Sequence, residues 1–182
     1  MSELFRKSLQ EEIAESSYDR PAGISFLAVI LAIGGGLGIV LQLIAFSKLE
    51  DLSEVLGVSA VLMQGALLLL SGSALAAAVG MWIGAKWGWW LALFYIAYAV
   101  TRNANAFLSI SSLADQFGAS GEFRSTNYVK YGIRMVWNAL LLAYLCRENA
   151  SFYFRTTETS KWKALGIVFG ISIGLFGLAA LL

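Results

Sequence analysis

One stretch of this sequence places polar, chemistry-bearing side chains inside an apolar run. Residues 98–107 read YAVTRNANAF, and a second polar group follows one predicted span later. An arginine near the centre of a bilayer costs about 2.5–3.5 kcal/mol on insertion scales, so such a side chain normally faces protein or water. The candidate site for an anionic ligand or lipid consists of five residues at helical spacing: Arg102, Asn105, Tyr131, Arg134 and Asn138.

The two arginines of this candidate site have no acidic partner within the predicted spans. The nearest carboxylates, Asp115 and Glu122, belong to a predicted outer loop at 113–127 that would bring Arg102 and Arg134 within a turn or two of each other. The arginines can reach the outer lipid phosphates, pair with the loop carboxylates, hold an anionic ligand or line a pore. We expect Arg102 to face protein or a polar cleft near the fourth span.

Several kinds of chemistry have no residues to support them. The chain has no histidine and one cysteine, Cys146, so the sequence predicts no metal site and no cofactor. No nucleophile motif, phosphate loop or paired carboxylate is present, and we expect a protein that is not an enzyme. A proton-coupled carrier usually needs an intramembrane acid or histidine, and the predicted spans contain neither, so the sequence does not favour such a carrier. The net charge of +1 gives no indication of nucleic-acid binding.

The composition is that of a membrane protein. Of the 182 residues, 58% are hydrophobic and 14% charged, against about 45–50% and about 25% in soluble domains. About 20 apolar residues cross a hydrocarbon core, and backbone groups in lipid must be paired internally, so the spans should be helices. The sequence predicts an all-α transmembrane bundle with spans at about 22–46, 58–84, 88–112, 128–146 and 162–182.

The distribution of basic residues sets the expected orientation. Eight of them fall on one side of this topology and three on the other, which favours a cytoplasmic N-terminus. The eight are Arg6, Lys7, Arg20, Lys86, Arg147, Arg155, Lys161 and Lys163, and the three are Lys48, Arg124 and Lys130. The tryptophans of KWGWW at 86–90 are typical of the headgroup level at the cytoplasmic turn.

Four parts of the chain follow from this topology. Residues 1–20 form a cytoplasmic segment that is either an amphipathic surface helix or a solvated one. Residues 21–146 form the four-span core, and span one should begin near its proline. Residues 147–161 are either an interfacial segment on the cytoplasmic leaflet or an ordinary turn, and 162–182 form the fifth helix.

Small residues recur along one face of two predicted spans. Helices in lipid gain little from burying apolar surface, so close backbone approach through small residues matters for their association. The pattern indicates tight packing, either within one chain or between chains. We assign to this helix-packing interface Gly72, Ala76, Gly80, Gly166, Gly170, Gly174 and Gly177.

Three stretches of the chain resemble a group of small bacterial inner-membrane proteins of no assigned activity. These are RPAGISFLAVILAIGGGLGIVLQL at 20–43, KWGWWLAL at 86–93 and LLLAYLCRENASFYF at 140–154. The resemblance covers about 20–154 and implies a four-helix core in a bacterial inner membrane, without an activity. The glycine-striped fifth helix is an addition to that core, which suggests that it docks onto something.

Two hypotheses on function follow from the sequence. The first is a non-enzymatic multi-pass protein that acts by helix-mediated association, as a homo-oligomer or as an accessory subunit of a larger membrane complex. Its partners would be membrane lipids and either itself or another membrane protein. The second is an oligomeric anion-conducting pore or carrier that uses Arg102 and Arg134. A lipid-modifying enzyme is a third class, but no residue can be assigned to its chemistry.

Overall fold

The computed structural model describes residues 20–45, 59–116 and 121–179, and the regular structure in these ranges is entirely α-helical. This confirms the predicted all-α class. The predicted segment 1–20, apart from Arg20, lies outside the described residues. The helices are α1 (Ala22–Ile44), α2 (Ala60–Trp82), α3 (Lys86–Gln116), α4 (Gly121–Leu145), α5 (Glu148–Tyr153) and α6 (Lys161–Ala179).

The third helix, α3, is the centre of the bundle. It packs against α2, α4 and α6, and α1 is added on the far side of α2. The core around α3 is closed by large buried side chains, including Trp89 and Phe154, which are both 0% exposed. Residues 83–85 are the whole connection between α2 and α3, so these two helices are antiparallel neighbours. The last helix, α6, follows α4 along the chain but packs against α3.

Glycines allow the closest helix contacts in this bundle. A Cβ built on Gly35 of α1 would lie 2.8 Å from the carbonyl oxygen of Ser71 in α2. A Cβ built on Gly80 of α2 would lie 2.5 Å from the Cα atom of Gly88 in α3. The backbones of α1, α2 and α3 therefore approach each other at distances that only glycine permits.

The turn between α2 and α3 is tight and depends on a glycine in the left-handed region. Gly84 has φ 67°, and the amides of Gly84 and Ala85 donate to the carbonyls of Met81 and Gly80 at 3.4 and 2.9 Å. This pair of hydrogen bonds is the Schellman arrangement that ends many helices. It reverses the chain at once, so α3 returns along α2 from its first residue.

Two described helical segments are long and apolar enough to cross a membrane: Ala22–Ile44 and Gln64–Trp82. The helices α3 and α4 both carry arginine, asparagine and lysine within their lengths, which lowers their hydropathy. Outward-facing side chains are nevertheless large and apolar on several sides of the bundle. Examples are Leu41 at 62% exposed, Leu69 at 77%, Ile133 at 65% and Ile173 at 60%.

The helical hairpin of α3 and α4 corrects the prediction of an outer loop at 113–127. Residues up to Gln116 continue α3, and α4 begins at Gly121, so most of the predicted loop is helix. The start of α1 directly after Pro21 agrees with the predicted start, since Pro21 accepts the first hydrogen bond from Ile24 at 2.9 Å.

Candidate functional site

The first arginine of the candidate site, Arg102, has an exposed side chain on α3. No hydrogen bond or ion pair joins it to the described part of the chain. Asn105, one turn further, is also exposed, and its backbone carbonyl accepts a hydrogen bond from Ser109 Oγ at 2.9 Å. We expected Arg102 to face protein or a polar cleft near α4, and an exposed side chain is not packed against protein.

The buried polar residue of this stretch is its neighbour, Asn103. That side chain is 3% exposed and donates from Nδ2 to the Ala99 carbonyl at 2.7 Å. Successive residues of a helix are rotated by about 100°, so Asn103 and Arg102 face different sides of α3. The sequence analysis selected Arg102 as the residue facing protein, whereas the structure buries Asn103. The side-chain amide of Asn103 can be buried because it hydrogen-bonds to a carbonyl of its own helix.

The second polar group lies along α4 and is held mainly by local contacts. Asn138 Nδ2 donates to the carbonyl of Arg134 at 2.6 Å, and the Arg134 guanidinium carbon lies 5.9 Å from the centre of the Tyr131 ring. Arg134 itself is exposed, and Tyr131 and Asn138 are half-buried. These three residues therefore form a patch on one helix and make no hydrogen bond to Arg102 or Asn105.

The antiparallel register nevertheless places the two arginines at similar heights. Trp89 Nε1 donates to the Leu145 carbonyl at 3.0 Å, and Phe107 meets Tyr128 with ring centres 4.9 Å apart. Between these two contacts Arg102 falls within about one helical turn of the height of Arg134. The expected closeness in height is therefore reproduced, although no hydrogen bond joins the two polar groups within the described chain.

Of the alternatives open to the span arginines, pairing with Asp115 is not the one that the structure shows. Asp115, near the end of α3, makes an ion pair with Arg124 in the first turns of α4. This pair bridges the tip of the α3–α4 hairpin on the exposed surface. Sequence reasoning missed it because it assigned both residues to a loop.

A polar contact between α1 and α2 also went unrecognised in the sequence. Gln42 Nε2 donates to Ser71 Oγ at 2.8 Å and to the Leu67 carbonyl at 3.0 Å. The Oε1 atoms of Gln42 and Gln64 are buried and have no hydrogen-bond partner among the described residues. Two glutamines in otherwise apolar spans were the available signal, and their side-chain carbonyl oxygens are two buried acceptors without a donor among the described residues.

The glycine stripe of α6 faces away from the rest of the described structure. The face that packs inward contains Ala164, Val168 and Ser172, which are 0–2% exposed. A Cβ built on any of the four stripe glycines would meet nothing within 4 Å in the described structure. On a helical wheel the stripe lies opposite the inward face. These glycines are Gly166, Gly170, Gly174 and Gly177.

The glycines of the other predicted stripe, on α2, fall into two kinds. Gly80 lies against Gly88 of α3, as described above, whereas a Cβ on Gly72 would meet nothing within 4 Å. Ala76 is half-buried. The α2 stripe thus serves packing within the chain at one end only.

The described residues contain no group of three histidine, cysteine, aspartate or glutamate side chains that could hold a metal ion. Comparison of the chain with protein-family models, with curated proteins and with solved structures finds no match. The resemblance to small bacterial inner-membrane proteins therefore stays a prediction.

Proposed function

We propose that this chain is a multi-pass protein of the bacterial inner membrane, with its N-terminus in the cytoplasm, that acts by helix-mediated association. It works as a homo-oligomer or as an accessory subunit of a larger membrane complex. Two helices of sufficient length and hydropathy support the membrane location, as do the large apolar side chains on the outer faces of the bundle. Lipid is the solvent in which such outer faces are stable.

The observation that carries the association is the outward glycine stripe of α6. Packing within the chain uses the opposite face of this helix, so the stripe leaves a shallow groove along the outer surface. Ile167, Ile171 and Ile173 flank it and are 50–60% exposed. Glycine grooves beside branched side chains allow two helices to approach closely, and van der Waals packing then holds them together in lipid.

Replacing Gly170 with leucine is expected to dissociate the assembly. The new side chain projects from the centre of the groove and overpacks the helix contact, which weakens association by about tenfold or more. The measurement is the mass of the complex after gentle extraction, by native mass spectrometry or light scattering in detergent.

The matched control adds the same side chain elsewhere. Gly34 is exposed on α1 and a Cβ there meets nothing within 4 Å, so Gly34→Leu should leave the mass unchanged. The proposal fails if wild type and Gly170→Leu are both monomeric and no partner co-purifies with either.

An anion-conducting pore or carrier is the second candidate function. The observation in its favour is that Arg102 and Arg134 are both exposed and lie at similar heights. Arg102 is about 13 residues beyond Trp89, a rise of about 20 Å along α3. In an oligomer, such outward cations can face a shared polar path instead of lipid.

Purified protein in liposomes is then expected to pass chloride, and Arg102→Ala should lower the preference for anions over cations severalfold because it removes a fixed positive charge. Arg124→Ala is the control, since Arg124 already pairs with Asp115 at the hairpin tip. Flux no greater than that of empty liposomes would rule this function out.

A further inference from the structure

A largely apolar cavity lies between α2 and α6, and residues of α3 form its floor. Its volume is about 530 Å³, within the range of about 300–1,000 Å³ that ligand pockets usually have. Both flanking helices pack against α3, and the cavity occupies the gap between them. Small side chains on α2, those of Ala66 and Ser73, help to leave this space, and leucines of α2 and α6 supply much of the remaining wall.

The cavity lies at mid-depth in the bundle and opens sideways. Ser73 is the middle residue of Gln64–Trp82, one of the two segments long and apolar enough to cross a membrane. Leu69 and Leu175, on opposite walls, are 77% and 45% exposed, so the opening is on the outer surface of the bundle. An empty space of this size forfeits van der Waals contacts, and apolar cavities exclude water. The molecule that fills it therefore enters from the lipid.

Aromatic rings form the α3 side of the cavity and join it to α6. The rings of Tyr98 and Phe176 are stacked, with centres 5.4 Å apart and planes 19° apart. The ring of Phe94 follows, with its centre 6.4 Å from that of Tyr98. All three residues line the cavity. Aromatic faces pair best with another flat ring in an offset stack, so this lining favours a planar occupant over a flexible chain.

Two hydroxyl groups interrupt the apolar lining. Ser73 Oγ donates to the Leu70 carbonyl at 2.7 Å, so its hydrogen is used within its own helix. No hydrogen bond joins Tyr98 Oη to the described part of the chain. A tyrosine hydroxyl in apolar surroundings normally has a partner, because leaving its hydrogen unpaired away from water is costly. At mid-depth in lipid, the occupant of the cavity is the available source of an acceptor.

We infer that this cavity binds a lipid-soluble molecule with a flat, carbonyl-bearing ring, the chemistry of a membrane quinone. The carbonyl oxygen accepts the hydrogen bond from Tyr98 Oη, the ring lies against the aromatic side of the cavity, and an apolar tail extends past Leu69 into the bilayer. The inference rests on the proposed membrane location. The site shares no residue with the α6 stripe or with the arginines of α3 and α4.

The test measures the binding of two probes to the full-length protein in phosphatidylcholine nanodiscs. One probe is a benzoquinone with a short alkyl tail, and the other is an alkylbenzene with the same tail, which has the ring without the carbonyl groups. The benzoquinone is expected to raise the melting temperature and to be retained in native mass spectrometry. The alkylbenzene should bind about tenfold more weakly, the effect of leaving one donor unpaired.

Three variants locate the site. Tyr98→Phe keeps the ring and removes the hydroxyl, so it should bind the benzoquinone about tenfold more weakly and the alkylbenzene as wild type does. Tyr95→Phe is the matched control, because it removes a hydroxyl from the same helix outside the cavity and should bind both probes normally. Ala66→Phe fills space at the cavity wall and should weaken the binding of both probes.

The inference is overturned if wild type binds neither probe, or if Tyr98→Phe or Ala66→Phe binds the benzoquinone as tightly as wild type. Equal binding of the two probes to wild type also overturns it, because the cavity would then accept any hydrocarbon, such as a phospholipid acyl chain. So does a Tyr98→Phe variant that melts well below wild type without a probe, since the hydroxyl would then have a partner in the protein.

Failure of the proposed function looks different. The protein would not enter nanodiscs, or Gly170→Leu would leave the mass of the complex unchanged. A protein that enters nanodiscs and whose complex dissociates in Gly170→Leu, but that does not distinguish the two probes, would contradict the cavity inference alone.

Discussion

Replacing Gly80 with alanine is expected to lower the free energy of unfolding by about 2–3 kcal/mol, the upper range for overpacking a tight contact. The added methyl group would lie 2.5 Å from the Cα atom of Gly88, which is backbone and cannot rotate away. The helices cannot simply separate, since the carbonyl of Gly80 accepts the hydrogen bond from Ala85 that closes the turn. Unfolding in detergent, followed by circular dichroism, measures the loss.

The same substitution on the same helix supplies the control. Gly72 has open space where its Cβ would lie, so Gly72→Ala should be neutral or stabilise α2 by up to about 1 kcal/mol through helix propensity. Gly88→Ala should resemble Gly80→Ala, because the two glycines form one contact. Equal stability of the Gly72 and Gly80 variants would show that α2 and α3 do not meet at this point.

Replacing Trp89 with alanine is expected to cost about 3–5 kcal/mol, the usual range for truncating a large buried aromatic side chain. Trp89 is 0% exposed, packs edge-on against Trp90 with ring centres 5.3 Å apart, and donates from Nε1 to the carbonyl at the end of α4. Its removal opens a cavity at the centre of the bundle and leaves that Leu145 carbonyl without its donor. The melting temperature in detergent should fall accordingly.

Trp89→Phe separates the contribution of the side-chain volume from that of the hydrogen bond to the Leu145 carbonyl. It restores most of the volume but not the hydrogen bond, so its cost should be about 1–3 kcal/mol, that of an unsatisfied buried acceptor. Trp162 is 85% exposed, and Trp162→Ala should change stability little. A Trp89→Ala variant as stable as Trp162→Ala would contradict the placement of this residue in the core.

Hydropathy predicted where helices lie but not how far they extend. The predicted spans at 22–46 and 58–84 match α1 and α2 closely, because these helices are apolar along their whole length. The α3–α4 hairpin was underestimated, since its tip contains serine, aspartate and glutamate, which read as loop. Hydropathy does not detect such a helix end, because a helix that is exposed to water and contacts only one partner helix can have polar residues there.

The rotation of α3 about its axis was the main feature that the sequence could not supply. This helix has apolar residues on every side, so no narrow stripe marks an inward face. An error of one residue turns a side chain by about 100°, which is the difference between the exposed Arg102 and the buried Asn103. Glycine stripes have the same limit. Their spacing identifies a face, but it does not tell that Gly80 packs against a neighbouring helix whereas Gly170 meets no atom of the described residues.

The length of α3 has a consequence for the outer side of the membrane. Its 31 residues rise by about 46 Å, whereas a hydrocarbon core is about 30 Å thick. In the proposed orientation, with Trp89 near the inner boundary, the last turns of α3 and the first turns of α4 would stand clear of the lipid, joined by the ion pair of Asp115 and Arg124. A soluble molecule arriving from outside would then meet that ion pair before the bilayer.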